Sequence, residues 1–391
     1  MSRETARVTQ IPRVAVTLTQ FWHTVPGGTA TSIERLVSTL DRSDHVEVTG
    51  IAPKGNVRHP LSIIDPTSTV RNRMPSDVRF APLPLPALYE VWTRIGRPSI
   101  DALGDFDVVH LTVPVTPPKS SLPLVVTVHD LFPITHPELL RIHGAKLMEK
   151  GLRAIMDRAD KVVVSTTTVA DECIRLGFDG SRLEVIPFGI ESVTVTETQQ
   201  RRVLSKYGLH GKYVLFVGTM EPRKNLRLLV EAMIRMNDPE ITLVLAGPTG
   251  WDGSGDDATG HVGLPGTSDI PSPVVHLGFV PEEDLPALKR GAVAFCFPSL
   301  AEGFGLPVLE AMAAGSVVIT SNVSATAEVA GDGAVLVDPH DPDALASAIR
   351  LVVEDPIAAS ELRTAAVKRA AHFDWNVCAE SVIDVYRSVM R

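Results

Sequence analysis

The stretch that decides the fold runs Ala301-Glu302-Gly303-Phe304-Gly305-Leu306-Pro307-Val308-Leu309-Glu310. It follows an apolar run, residues 292–297, that predicts a buried strand, and it opens an apolar segment that Gly315 ends. Pro307 suits the first position of a helix, where its missing N–H costs nothing. Gly315 suits the left-handed position just beyond a helix. The sequence therefore predicts a strand, a glycine loop and a short helix in succession.

The same loop predicts a site for an anion beside hydroxyl groups. Glycines let backbone N–H groups approach a ligand closely, and the start of a helix adds a dipole that favours negative charge. Glu302 lies in the loop, and Glu310 lies about one turn into the helix. Because ionised carboxylates only accept hydrogen bonds, they suit the hydroxyls of a sugar and a ribose. A solvated surface carboxylate is the alternative for each, and the apolar neighbours of Glu310 disfavour it there.

This pattern resembles the retaining glycosyltransferases of the GT-B fold, in family four, whose members carry two glutamates at this spacing and place. The resemblance implies that Glu302 binds hydroxyls of a donor sugar and that Glu310 binds the ribose of its nucleotide. It also implies that the backbone amides of Phe304, Gly305 and Leu306 contact the diphosphate. The resemblance covers essentially the whole chain.

Composition bounds the class of protein. The chain has 391 residues, a hydrophobic content of 44% and a net charge of −9, which suit a multidomain globular protein and disfavour nonspecific nucleic-acid binding. Its three cysteines lie far apart in apolar surroundings, so we expect buried free thiols. With no signal peptide and no apolar stretch of membrane-spanning length, the expected location is cytoplasmic, with contact to the inner face of the membrane left open.

Strands alternate with helices in both halves of the chain, which predicts two doubly wound α/β sheets. The polar residues 191–200 show no clear hydrophobic period and are interpreted as the linker. The resemblance implies two Rossmann-like domains that face each other across a cleft, with an acceptor-binding domain over 1–190 and a nucleotide-sugar-binding domain over 191–372. It further implies that the amphipathic helix in 373–391 crosses back and packs on the first domain.

Two loops of the first half are candidates for the site. His129 ends a strand predicted over 124–128, and ligands of doubly wound sheets bind beyond the carboxyl ends of the strands. A structural histidine is the alternative, but the string over 126–138 resembles a family-four subgroup with many mannosyltransferases, which implies that His129 contacts the donor sugar. Gly27-Gly28 suits a tight turn between a strand and a helix. The resemblance implies that this loop lies near the donor phosphate and the acceptor.

Two cations in the second half, Arg223 and Lys224, are candidates for binding the departing diphosphate. They precede the start of a predicted helix, and an ordinary exposed pair is the alternative. Asn225 is predicted to cap that helix. Thr219 stands where many relatives have an arginine, and its Gly-Thr context again resembles the mannosyltransferase-like subgroup. The family resemblance also implies that backbone near Val280 contacts the nucleotide base.

The sequence predicts no metal site. Asp105-Phe106-Asp107 spells D-x-D, the metal motif of the other glycosyltransferase fold, but it directly precedes an apolar strand at 108–111 and is interpreted as the polar end of a turn. We therefore expect neither a metal nor another cofactor, since the donor nucleotide sugar is a substrate.

Two regions could contact an anionic acceptor or lipid headgroups. Residues 54–104 are irregular, rich in proline and arginine, and carry Tyr89 and Trp92 in an apolar patch. The helix predicted over 141–160 has one basic side. For residues 54–104 the alternative is a solvated loop plus a packed helix, and for the helix over 141–160 it is a solvated basic face. The acidic, glycine-rich residues 247–273 are interpreted as a surface insertion.

The predicted function is transfer of a hexose, with retention, from a nucleoside diphosphate sugar to a hydroxyl of a glycan, glycolipid or small molecule. The subgroup resemblance favours mannose from GDP-mannose. The alternatives are a transferase that uses a UDP-sugar and a sugar-nucleotide epimerase of the same fold. A phosphorylase would need a pyridoxal site, a noncatalytic homologue would have lost a key charged residue, and a nicotinamide dehydrogenase would need a glycine fingerprint that is absent.

Overall fold

The computed structural model describes residues 10–22, 27–55, 74–139, 142–248, 271 and 273–390. The chain divides into two units, each with its own core. Unit 1 joins Met1–Gly189 to Trp375–Arg391, and unit 2 is Ile190–Asp374.

Unit 1 is a parallel sheet with helices around it. Its strands are β1 (Arg13–Thr17), β2 (Glu47–Ala52), β3 (Asp77–Phe80), β4 (Val108–Leu111), β5 (Leu124–Val128), β6 (Lys161–Val164) and β7 (Leu183–Val185). Its helices are α1 (Gly27–Asp41), α2 (Leu85–Ile95), α3 (Phe132–Thr135), α4 (Ile142–Arg158), α5 (Thr167–Arg175) and, from the end of the chain, α13 (Trp375–Val389). The strand order is β3-β2-β1-β4-β5-β6-β7. Every residue of β4 and β5 is buried, as expected of parallel strands covered on both faces.

Unit 2 repeats this plan. Its strands are β8 (Lys212–Val217), β9 (Ile241–Ala246), β10 (Val274–Gly278), β11 (Ala294–Phe297), β12 (Val318–Ser321) and β13 (Val335–Val337). Its helices are α6 (Glu197–Lys206), α7 (Leu226–Met236), α8 (Leu285–Gly291), α9 (Leu306–Ala313), α10 (Ser324–Ala330), α11 (Pro342–Glu354) and α12 (Pro356–Ala370). The strand order is β10-β9-β8-β11-β12-β13, again with every pair parallel.

Both sheets reverse their winding direction at one point. In unit 1 the reversal falls between β1 and β4, and in unit 2 it falls between β8 and β11. The loops that leave the carboxyl ends of these strands form the crevice in which doubly wound sheets bind ligands. The prediction of two doubly wound α/β sheets is confirmed, and the topology fixes the edge of each sheet at which to look for function.

The C-terminal helix α13 packs on unit 1, as predicted, against α1 and β6. Val382 and Ile383 are buried there, and each such side chain contributes about 1.5–3 kcal/mol of hydrophobic stabilisation. The Tyr386 hydroxyl lies 2.7 Å from Nδ1 of His110 on β4, whose Nε2 lies 2.8 Å from Thr127 Oγ1 on β5. Burial lowers the pKa of His110 to about 3, so a neutral ring joins the helix to the sheet.

Several expectations about irregular segments are wrong. The predicted linker 191–200 contains the start of α6, which a capping box of Thr196 and Gln199 begins. The stretch 54–104, predicted to be irregular, contains β3 and α2, and α2 agrees with the packed helix that was its alternative. Tyr89 and Trp92 are buried on α2, and the Trp92 indole N–H donates to the Pro98 carbonyl, so neither ring presents a surface to lipid.

Other expectations concern residues that are only partly described. The arginines between residues 56 and 73, which were candidates for contact with an anionic acceptor or lipid headgroups, lie outside the described residues. So does most of the predicted insertion over 247–273. On the basic helix α4, the Arg158 guanidinium donates to the carbonyls of Pro117 and Pro118 and is therefore part of the fold. All three cysteines are buried and free, as predicted. Within the described ranges, no helix combines the length and apolarity needed to cross a membrane.

Candidate active site

The charged residues of unit 2 come from two loops at its switch point. The loop after β8 continues into a short 3-10 helix, Pro222–Lys224, and the loop after β11 carries Glu302. Because β8 and β11 are neighbours in the sheet, both loops leave the same edge side by side. The backbone confirms this, since the N–H of Leu300 donates to the carbonyl of Arg223 at 2.9 Å.

Glu302 forms ion pairs with both predicted cations. Its Oε1 lies 2.6 Å from Nζ of Lys224, and its Oε2 lies 2.6 Å from Nη1 of Arg223. The side chains of Lys224 and Glu302 are each only 9% exposed. The Lys224 ammonium also lies 4.4 Å from the centre of the Phe297 ring, a cation–π contact at the end of β11. The structure therefore brings together the two cations and the first glutamate that the sequence singled out.

The protonation of this cluster follows from its charges. Burial opposes ionisation of Glu302, but Arg223 and Lys224 together hold the pKa of its carboxyl below the usual range. Burial lowers the pKa of Lys224, and the positive charge of Arg223 adds to that effect while Glu302 opposes it. Glu221 adds a second carboxylate to the cluster, because its Oε2 lies 3.3 Å from Nη2 of Arg223 and its charge opposes the lowering of the Lys224 pKa. The two cations therefore face two carboxylates, and the charges of the cluster balance.

The glycine loop next to this cluster has the predicted form. Gly305 has φ 98°, and a Cβ there would lie 2.8 Å from the methyl group of Thr326, so only glycine fits without strain. The helix α9 begins at Leu306, and Gly315, at φ 76°, follows its end as predicted. The Phe304 ring is buried edge-on against Phe373, which anchors the loop. At the start of α9 the N–H of Val308 donates to the carbonyl of Gly305 and Pro307 has no N–H, so the N–H of Leu306 is the donor without an acceptor in its own helix.

Glu310 has a partner that the sequence did not reveal. Its Oε2 accepts a hydrogen bond from Nζ of Lys289 on α8. The Lys289 side chain is only 3% exposed, while that of Glu310 is 32% exposed. Lys289 therefore occupies one carboxylate oxygen from the protein side, and the other oxygen remains for a ligand. The apolar residues around Lys289 in α8 gave no signal of this role.

Three more predicted positions lie on the same edge of unit 2. Thr219 follows β8, and Val280, which is buried, follows β10. The prediction for Asn225 is wrong, because its side chain does not cap α7 and its backbone is left-handed. Instead its Nδ2 donates to the carbonyls of Pro298 at 3.1 Å and Pro339 at 2.7 Å. Asn225 thereby holds together the loops that follow β8, β11 and β13.

The candidate residue of unit 1, His129, follows the carboxyl end of β5. Its Nε2 lies 2.8 Å from the carbonyl oxygen of Thr112, which follows β4. Because a carbonyl only accepts, Nε2 carries the proton. Burial lowers the pKa of His129 to about 4, although this hydrogen bond opposes the shift. The ring is therefore neutral near pH 7, and its Nδ1 can accept a hydrogen bond from a hydroxyl.

Thr112 and Phe188 position the His129 ring. The N–H and Oγ1 of Thr112 bond to Oγ1 and the carbonyl of Thr17, at 3.0 and 2.6 Å, which ties the ends of β4 and β1 together. Phe188, for which the sequence suggested no role, lies with its ring centre 5.7 Å from that of His129. On its other side Phe188 stacks on Trp375, the first residue of α13, at 5.9 Å.

Gly27 and Gly28 form the first turn of α1 in unit 1. Gly27 has φ 63°, which favours glycine, and a Cβ built at either position would meet no described atom within 4 Å. Within the part of the chain that the structure describes, which leaves out residues 23–26, the space beside these two glycines is open. The role of this loop near the donor phosphate and the acceptor stays a prediction.

The D-x-D motif lies elsewhere in unit 1, and both of its carboxylates are paired with Arg13. Asp107 accepts hydrogen bonds from the backbone N–H and the guanidinium of Arg13, and Asp105 pairs with the same guanidinium. Arg13 holds the pKa of the Asp107 carboxyl below its usual range. Among the residues that the structure describes, no three histidine, cysteine or acidic side chains converge as metal ligands.

Comparisons with known proteins follow the division into two units. Residues 26–194 match the family model "Glycosyltransferase Family 4", and residues 199–372 match "Glycosyl transferases group 1". The chain is 35% identical over 274 residues to the O-antigen chain mannosyltransferase B of Escherichia coli, with 67% of this chain and 70% of that protein covered. It is 26% identical over 377 residues to a phosphatidyl-myo-inositol mannosyltransferase of Mycolicibacterium smegmatis, with 93% and 91% covered.

Solved structures show the same fold. Anabaena HepE in complex with UDP-glucose superposes with a TM-score of 0.73 at 16% identity, over 96% of this chain and all of that one. WaaG, a glycosyltransferase involved in lipopolysaccharide biosynthesis, gives a TM-score of 0.69 at 18% identity, over 95% and 99%. The two Rossmann-like units therefore form a GT-B fold, as predicted.

Proposed function

We propose that this chain, which belongs to the group 1 glycosyltransferases of family 4, transfers a mannosyl group from GDP-mannose to an acceptor hydroxyl with retention of the anomeric configuration. The acceptor belongs to a glycan, a glycolipid or a small molecule. The reaction needs no divalent metal, because Arg223 and Lys224 stabilise the leaving diphosphate. The observation that carries the proposal is the ion-pair cluster of these two cations with Glu302 at the switch point of unit 2.

The cluster supports this reaction through the charge that it can redistribute. In the structure, Glu302 pairs with both cations and Glu221 pairs with Arg223, which offsets the cost of burying these charges. Lys224 offers three N–H donors, and Glu302 accepts one of them. A diphosphate that binds at the glycine loop would take the others, as negative charge grows on the leaving group. Glu302, loosened from the cations, would then accept hydroxyls of the donor sugar, while Glu310 accepts one ribose hydroxyl.

Retention is what the resemblance to the retaining glycosyltransferases of the GT-B fold implies, and the environment of Glu302 bears only on the route. A carboxylate that pairs with Arg223 and Lys224 and that is assigned to hydroxyls of the donor sugar is a poor nucleophile for a double displacement. In a front-face displacement, the bond between the anomeric carbon and the diphosphate oxygen breaks as the acceptor oxygen bonds to the same face. The acceptor proton passes to the departing phosphate oxygen, so no protein base is needed. His129, neutral and hydrogen-bonded through Nε2, is suited to accept a sugar hydroxyl at Nδ1.

Mannose is favoured by the relatives, since both curated proteins described above are mannosyltransferases by name. The second candidate is a UDP-sugar, because HepE was solved with UDP-glucose. A mismatched sugar would leave buried polar groups of the site unpaired, at a cost of about 1–3 kcal/mol each.

The test offers GDP-mannose, UDP-glucose, UDP-GlcNAc and UDP-galactose side by side, with nucleotide release and thermal stabilisation as readouts. We expect both responses with GDP-mannose, and the same turnover in the presence of EDTA. A response to a UDP-sugar alone would overturn the choice of donor. Loss of turnover in EDTA that magnesium or manganese restores would overturn metal independence. Donor conversion into an isomeric nucleotide sugar without acceptor would replace transfer by epimerisation.

A further inference from the structure

A cavity of about 710 Å³ opens on unit 2 away from the loops that carry Glu302 and Lys224. Gly291 and Gly315, which line it, precede the amino ends of β11 and β12. The candidate active-site loops instead follow the carboxyl ends of the strands. Because the strands of this sheet are parallel, the cavity lies at the opposite edge of the sheet and is a separate feature from the donor site.

The cavity is lined by positive charge. Its polar residues are Arg290, Arg363 and Lys368 together with the neutral Gln200 and Thr364. No acidic side chain lines it among the described residues, although acidic residues outnumber basic ones in the chain by 46 to 37. Such a local excess of cations runs against the overall composition.

The three cations have different partners. The Arg363 guanidinium donates to the carbonyls of Arg290, Gly315 and Ala292, at 3.2 to 3.3 Å, and so belongs to the fold. Burial and the nearby charge of Arg290 lower the pKa of Arg363. Arg290 and Lys368 are exposed, and within the described part of the chain no ion pair joins either of them to an acidic side chain. Three like charges thus meet here without a counter-charge from the described chain.

Helix ends explain part of this arrangement, because Arg290 and Lys368 lie in the last turns of α8 and α12, where cations complement the dipole. That explanation accounts for each cation alone and not for their convergence on one cavity beside Arg363. The convergence is unfavourable unless an anion joins it.

We propose that this cavity binds a small phosphate-bearing molecule. Its volume lies within the range of about 300–1,000 Å³ that is usual for small-ligand sites. A phosphate ester carries a charge of about −1.5 to −2 at neutral pH, which matches several cations better than a single carboxylate does. The Thr364 hydroxyl and the Gln200 amide supply neutral hydrogen bonds at the same rim.

The experiment titrates inorganic phosphate into the full chain at constant ionic strength, with a saturating nucleoside diphosphate present so that the donor site is filled. We expect phosphate to raise Tm and to give a calorimetric isotherm. Arg290→Gln and Lys368→Gln should each weaken phosphate binding at least about fivefold. The matched control is Arg227→Gln, which removes the same charge at an 85% exposed arginine of the same unit and should leave binding unchanged.

If Arg290 and Lys368 act only by complementing the dipoles of their helices, both variants will have a lower Tm in the absence of phosphate but will keep the phosphate-dependent increase in Tm. That result would overturn the proposal. Absence of any phosphate response in the parent protein would also overturn it. A second arm compares glycerol phosphate with vesicles that contain phosphatidic acid. Binding to the vesicles alone, lost in the two variants, would replace the small molecule by a lipid surface.

Discussion

The two units share one strand order, which unit 1 extends by β7, and they differ in what they place at the same edge of the sheet. In unit 2 the loops after β8 and β11 carry a cluster of two cations, Arg223 and Lys224, and two carboxylates, Glu221 and Glu302. In unit 1 the loops after β4 and β5 carry Thr112 and a neutral His129, joined by one hydrogen bond. The winding of a sheet thus selects where a ligand binds, and the loop residues select which charge it has.

This difference assigns separate tasks to the two units. A buried charged cluster suits the anionic half of a nucleotide sugar, and a neutral imidazole suits uncharged hydroxyls. If that contrast is correct, substitutions in unit 2 should act mainly on binding and departure of the diphosphate. Substitutions in unit 1 should act on orientation of the sugar.

The strongest test removes a cation from unit 2. Lys224→Met should lower kcat about a thousandfold, because one preorganised charge on the leaving group is lost. The variant should also unfold more easily, since among the described residues Glu302 keeps Arg223 as its one ion-pair partner in a buried site. Steady-state kinetics with the best donor and chemical denaturation measure the two effects.

The control for this variant is Lys206→Met, which removes a lysine paired with Asp284 at 2.5 Å elsewhere in unit 2. It should keep kcat near that of the parent. Comparable turnover in Lys224→Met and Lys206→Met would contradict a role for Lys224 in the reaction.

The corresponding test in unit 1 is His129→Ala. We expect kcat to fall about a hundredfold, the lower end of what a lost transition-state hydrogen bond costs, with little change in nucleotide affinity. Because the pKa of His129 is lowered to about 4, kcat of the parent should show no histidine titration between pH 5.5 and 8. An acidic limb near pH 6.5 that disappears in the variant would show instead that His129 works as a titrating base.

A milder effect is expected at the buried lysine of unit 2. Lys289→Met should free the Glu310 carboxylate to change its orientation, and so weaken binding of GDP about tenfold while kcat changes less. The specific readout is the ratio of affinities for GDP and its 2′- and 3′-deoxy analogues, which should fall toward one. A general loss of stability would weaken all three nucleotides equally, so an unchanged ratio would argue against Lys289 as a positioning residue for Glu310.

The mildest test uses acid to separate the units. His110 and His129 have folded-state pKa values of about 3 and 4, so the unfolded chain binds more protons once the pH falls below about 6.5. Unit 1 should then lose up to about 1.4 kcal/mol of stability per pH unit for each histidine. In unit 2, the lowered pKa of Glu302 places its loss of stability below about pH 4.5.

Hydrogen exchange of β4 and β12, measured from pH 7 to 4, should therefore show unit 1 opening first. If both strands opened at the same pH, or if β12 opened at a higher pH than β4, the proposed difference between the neutral histidines of unit 1 and the charged cluster of unit 2 would be contradicted.

Most of the fold could be predicted because buried parallel strands occur in the sequence as short runs of apolar residues. The bounds of β4 and β5 agree with those runs to the residue. The start of α6 was missed because its segment is polar, and β3 was missed because it lies in a stretch rich in proline. α2 agrees with the packed helix that was the alternative for that stretch. The helix α6 depends on its capping box and on packing against α8. The hydrophobic pattern of its own sequence carries little information about that packing.

The candidate site was predictable where chemistry and loop position coincide. Arg223, Lys224 and Glu302 stand after strands in a chain whose topology brings those strands together. Lys289 and Phe188 could not be predicted, because their roles depend on contacts with Glu310 and His129, which lie far from them in the sequence. Asn225 was mispredicted because a local cap was assumed where two distant carbonyls compete for the amide.

The place of α13 at the end of the chain also affects the order in which the two units can complete their folding during translation. Unit 2 is continuous in the chain and has all its residues once Asp374 has emerged, whereas unit 1 still lacks its last helix. Translation of residues 190–374 takes on the order of 10 to 40 seconds, and throughout it His110 and the apolar surface beneath α13 have no cover. Unit 1 is therefore synthesised first and completed last. The apolar surface that it exposes during this interval is where a chaperone would bind or aggregation would begin.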